Sequence, residues 1–147
     1  MKKTTVILIF IILAALLKLS WSSVNKSTDL SSLTINDLSL GDQFTQLPDA
    51  LNSDNSLKIE TDKDGKIVKL QTVNDHTNIS AYGTTITNNT ESYKSILGNH
   101  FVNKIYDYSQ GMNELVYHDS ENNINLEIVY LKTDKGNKIN WVIMSRT

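Results

Sequence analysis

Three histidines, His76, His100 and His118, are the side chains best suited to acid–base or metal chemistry in this 147-residue chain. Imidazole titrates near neutrality and can ligate a metal through either nitrogen. Their separations, 24 and 18 residues, match no local ligand motif, and none has a histidine or carboxylate four residues further on. They read as solvated residues. Asp62-Lys63-Asp64-Gly65 echoes the opening of a calcium loop, but the later ligands and the glutamate at position twelve are missing. A hairpin turn already accounts for Asp64-Gly65, because Gly tolerates the positive φ such a turn needs. Carboxylate pairs such as Glu60/Asp62 and Glu121/Glu127 would suit glycoside hydrolysis only if held at a defined separation. With 16 acidic residues in the chain, such pairs arise by chance. There is no Gly-x-Ser-x-Gly elbow, no phosphate-cradling glycine loop and no His-Glu-x-x-His. Cysteine is absent altogether, which removes thiol catalysis, cysteine zinc sites, disulfides and a lipid-modified N-terminal cysteine. The residues therefore predict no catalytic centre, no metal and no cofactor, and the expectation is a protein that is not an enzyme.

The alternative to chemistry is recognition, and here the C-terminal strands carry the signal. One face reads Leu115, Tyr117, Ile124, Leu126, Ile128, Tyr130, Ile139, Trp141 and Ile143. The opposite face begins polar, with Glu114, His118, Asn125, Glu127 and Asn140, then turns apolar at Val116, Val129, Leu131, Val142 and Met144. An antiparallel sheet normally leaves one face to water. A half-apolar second face has to be covered, either by the Leu57/Ile59/Val68/Leu70 hairpin or a helix around Phe44, or by a partner. Those five residues are the candidate partner-binding patch.

Elements that would position this patch follow from periodicity. Residues 34–73 form a first module with a short amphipathic stretch at 44–51, where Phe44, Leu47 and Leu51 share a helical face, and a hairpin across 57–73. Residues 79–147 form a second module. A helix is predicted over 90–97, with Thr90 or Asn89 as N-cap and Gly98 as its stop. Four strands then follow, near 101–108, 113–118, 124–131 and 138–145, joined by Asn/Gly-rich turns. The first module alone is too small to be stable without disulfides or metal, so the two should share a core.

Ahead of the modules, Lys2 and Lys3 precede an apolar run at residues 6–17, then Ser20-Trp21-Ser22. That is the layout of an export signal. At about 1.5 Å per residue the run reaches roughly 18 Å, short of a hydrocarbon core about 30 Å thick. Residues 1–22 are expected to be a cleaved signal helix, or an uncleaved anchor with Lys18 snorkelling, and residues 23–33 a flexible tether. Cleavage would remove Lys2, Lys3 and Lys18 from 14 basic residues, leaving eleven against 16 acidic ones and a net charge of −5. That balance argues against nucleic acid. Membrane contact is expected only through the N-terminal segment, and only if it is retained. The Asn-x-Ser/Thr sequons at Asn25, Asn78 and Asn88 matter only in a eukaryotic secretory route.

Leu40-Gly41-Asp42, Tyr82-Gly83, Leu97-Gly98 and the stretch Asp119-Ser120-Glu121-Asn122-Asn123-Ile124-Asn125-Leu126-Glu127 resemble a pattern in small exported proteins of Gram-positive bacteria. In these a hydrophobic-Gly ending, a short helix closing in Leu-Gly and a β-meander occur, sometimes in tandem. The layout is also similar to the helix-plus-sheet repeats of the β-lactamase-inhibitor-protein superfamily. Two features depart from the pattern: the first module has a single hairpin, and no Leu-Gly closes its helix. The resemblance implies a binding or scaffolding role and transfers no functional residues. The expected fold is α+β: an antiparallel sheet with one or two short helices on one face, behind the signal helix. The expected function is binding of a protein or cell-wall partner outside the cell. A small envelope hydrolase, or an accessory domain of one, and a membrane-held immunity protein are the alternatives.

Overall fold

A computed structural model describes residues 27–45, 57–72 and 78–147. Among these residues the regular structure is nine strands and one helix: β1 (Thr34–Ile35), β2 (Leu57–Thr61), β3 (Ile67–Thr72), β4 (Ile79–Ala81), β5 (Thr84–Ile86), α1 (Thr90–Leu97), β6 (Phe101–Asp107), β7 (Met112–Asp119), β8 (Ile124–Thr133) and β9 (Gly136–Arg146). The α+β class is therefore overturned. This is a β-rich fold of two antiparallel sheets with a single helix among the described residues. The signal helix at 1–22 and most of the amphipathic stretch at 44–51 lie outside the described residues. Phe44, which is described, donates its backbone N–H to Gly65 O and belongs to an extended strip beside the β2–β3 turn.

The larger sheet has the order β2-β3-β9-β8-β7-β6. Strands β6 to β9 form the expected meander. The β2–β3 hairpin does not lie over this sheet as a cover; it extends the sheet sideways, with Leu70 opposite Met144 in the β3–β9 pair. Residues from both modules consequently share one sheet and one core cluster. The smaller sheet, β1-β4-β5, is built on two tight turns of the same kind. Asn36-Asp37 joins Ile35 to its bridge partner Leu38, and Tyr82-Gly83 joins β4 to β5; all four turn residues have positive φ. Such two-residue turns match the right-handed twist of the flanking strands. Each module therefore opens on a turn of the same geometry, and β1 and β4 pair with one another.

Helix α1 forms where the caps predict it. Asn89 accepts the N–H of Ser92 in its side chain, and Gly98, at φ 82°, ends the helix. Tyr93 and Leu97 are buried, and Tyr117 Oη donates to Gly98 O at 3.1 Å, tying the helix end to β7. The tether expected at 23–33 is packed from Ser27 onward. Leu30 and Leu33 are 1% exposed, in the same core cluster as Tyr93, Leu126 and Met144. Asp119 holds this arm: its carboxylate accepts the N–H groups of Leu30, Glu121 and Asn122 and the Asn122 side-chain amide, at 2.8–3.1 Å. Burial alone would raise the Asp119 carboxyl, but these bonds to the charged form outweigh it and hold it below the ordinary value of 3.8. Two apolar side chains in a polar-looking stretch had core positions waiting for them.

Candidate functional site

Strand register decides which side chains share a face. Leu115, Ile128 and Val142 lie opposite one another across β7, β8 and β9, as do Tyr117, Leu126 and Met144. These point into the core. The register slips between Val129 and Tyr130: Tyr130 pairs with Ile139, Val129 with Trp141, and Asn140 is left as the extra residue. A bulge of this kind interrupts strict alternation. Its effect is to turn Val142 and Met144 inward, each 1% exposed, and to place Trp141 and Ile143 on the other face.

The candidate patch of five residues is thereby divided. Val142 and Met144 are core. Val129 is on the outer face but fully buried, flanked in register by Glu114 and Trp141. Val116 and Leu131 are half-buried there. The outer face is closed locally by an aromatic pair, Tyr106 against Trp141, with centroids 5.6 Å apart in an edge-on arrangement. Met112 accepts the Asn140 side-chain amide through Sδ at 3.8 Å. Trp141 Nε1 is buried without a hydrogen-bond partner among the described residues. Glu114 sits beside this cluster. Burial raises its carboxyl above the ordinary value, the charge of Glu127 adds to the rise, and Lys104 opposes it.

Candidate chemistry remains scattered. His118 is exposed, with Nδ1 2.7 Å from Asn125 Oδ1; His100 is exposed and contributes its carbonyl to Thr28. His76 lies outside the described residues. Glu60, Asp62 and Glu121 are exposed, and Glu127 is half-buried on the outer face. Asp62 binds its own turn, accepting from the N–H groups of Asp64 and Lys66. Among the described residues no group of three or more His, Asp or Glu is gathered closely enough to hold a metal ion.

What stands out instead is β6. Among the described residues it ends the sheet, and its middle five residues are exposed on both faces. Val102 is 58% exposed, Ile105 64% and Tyr106 45%, while Tyr108 in the following turn is 88% exposed. The turn is firmly built: Asp107 accepts from the N–H and hydroxyl of Ser109 and from the N–H and side-chain amide of Gln110. Those side-chain bonds lower the Asp107 carboxyl from its ordinary value. A shallow recess of about 190 Å³ opens here between Ile105, Tyr108, Gly111, Met112 and Asn113. Volume and lining suit one apolar side chain. Sequence reasoning read residues 101–108 as a strand but did not see that it would be an edge, because strand order is not written in hydrophobic periodicity. The one available signal was its composition, in which Val102, Ile105, Tyr106 and Tyr108 do not follow a single alternation.

With this geometry in view, comparison with known proteins adds no kinship: no family model, curated protein or solved structure matches the chain.

Proposed function

We propose that this is an exported, non-enzymatic binding protein whose β6 edge and adjoining turn engage a protein or cell-wall partner. One observation carries the proposal. Of the five exposed large hydrophobic side chains among the described residues, four (Val102, Ile105, Tyr106 and Tyr108) belong to β6 and its turn. Edge strands are usually short, heavily charged or covered, because free N–H and C=O groups invite pairing. This one carries only Lys104 and Asp107 as charges, the latter bonded within its own turn, beside the apolar and aromatic Val102, Ile105 and Tyr106. Strand addition to such an edge supplies main-chain hydrogen bonds, and pockets for alternate side chains supply selectivity. Export rests on Lys2, Lys3 and the apolar run at 6–17.

The test is binding of the full chain, fluorescently labelled, to envelope preparations from the producing cells, with Ile105→Asp and Tyr108→Ser as variants. Both side chains are mostly exposed, so melting should be unchanged while binding weakens about tenfold or more, the equivalent of roughly 1.4 kcal/mol. Undiminished binding by both variants would sink the assignment of the site.

A further inference from the structure

We infer that β6 pairs with β6 of a second copy of this chain, antiparallel about a two-fold axis at Asn103; this rests on the reading of β6 as the binding edge. An axis normal to the sheet keeps each face on its own side, so opposed residues must share a face and the axis must coincide with a residue. The regular part of β6 runs from Phe101 to Ile105, before the register shift between Ile105 and Asp107. Asn103 is its midpoint. Centred there, Phe101 lies opposite the partner's Ile105 on the core-side face. Val102 lies opposite the partner's Lys104, whose aliphatic stem can cover it. Asn103 meets the partner's Asn103, amide to amide.

Neighbouring registers are worse for stated reasons. Moving the axis to Lys104 sets that charge directly against the partner's Lys104, which destabilises a strand pair. An axis at Ile105 carries the pairing through the irregularity at Tyr106, and one at Val102 leaves only residues 101–103 paired. The sheet's other edge, β2, is a poor substitute. Its Lys58 and Glu60 are exposed, Glu60 is paired to Lys69 at 2.7 Å, and Leu57 is buried in the core. A β6-to-β2 contact would also be head-to-tail and open-ended, whereas β6-to-β6 closes as a dimer.

The absence of cysteine makes the register directly testable, since Asn103→Cys places a lone thiol on the axis. Opposed residues in antiparallel strands lie about 4.5–5.5 Å apart at Cα, within the span of a disulfide. The full chain is expected to sediment as a dimer. Mild oxidation should link Asn103→Cys covalently and leave Lys104→Cys largely unlinked, and Ile105→Asp should raise the dimer dissociation constant about tenfold or more while melting like wild type at concentrations low enough for both to be monomeric. A monomer at every concentration, or a dimer that links through Lys104→Cys rather than Asn103→Cys, overturns the inference. A monomer whose envelope binding is still lost in Ile105→Asp overturns self-pairing alone and keeps the binding reading. A monomer whose envelope binding is indifferent to that change overturns both.

Discussion

Asp119 and Glu114 sit on the same strand and respond to burial in opposite ways, because one is given donors and the other is not. Four hydrogen bonds keep Asp119 ionised, and one of them fastens Leu30 to the turn after β7. Replacing it with Asn leaves buried N–H groups poorly met and should cost about 2–3 kcal/mol in urea denaturation. The pH dependence follows from the sign of its shift. A carboxyl held below its ordinary 3.8 contributes stability that is present above that value and is lost as pH falls through the folded one. Wild type should therefore lose stability on acidification below pH 3.8, and Asp119→Asn should lose less over the same range. Glu114 has the reverse sign. Its raised carboxyl favours the neutral form, so its contribution is present below 4.5 and is lost as pH rises. Glu114→Gln is expected to be more stable than wild type at pH 7, with the difference disappearing in acid; equal stabilities at pH 7 would refute it.

At the scale of elements, the bulge at Asn140 matters most. The run Ile139-Asn140-Trp141-Val142-Ile143-Met144 offers two apolar faces, and periodicity alone cannot choose between them. One inserted residue chooses, sending Met144 into the core opposite Leu70 and Leu126 and leaving Ile143 opposite Glu127. Met144→Ala should cost about 3 kcal/mol, as large-to-small changes in a packed core do, and Ile143→Ala less than half of that. Equal costs in thermal melts would contradict the assigned faces. The helix behaves differently. Its limits and its Gly98 stop were legible and its cap was narrowed to Asn89 or Thr90, of which the structure selects Asn89, because capping depends on residues within a turn of the helix end.

At the scale of the whole molecule, the decisive contacts are long-range: β3 with β9, β1 with β4, and the arm at 27–33 with the turn after β7. Removing residues 27–33 takes Leu30 and Leu33 out of the core. The truncated chain should unfold at markedly lower temperature, and the intact chain should melt in one transition by circular dichroism and by tryptophan fluorescence alike. Two separated transitions would mean that the modules fold independently. Sequence by itself determined the meander, the hairpin at Asp64-Gly65, the helix and the poverty of catalytic motifs, since each depends on residue type over a short span. Only the tertiary structure decided that β6 is an edge, that the β2–β3 hairpin widens the sheet rather than covering it, and that the segment around Leu30 is core. The physical reason is common to all three. A side chain's burial in a sheet depends on which strand lies beside it and in what register, and those partners, such as Ser145 for Lys69, come from distant parts of the chain.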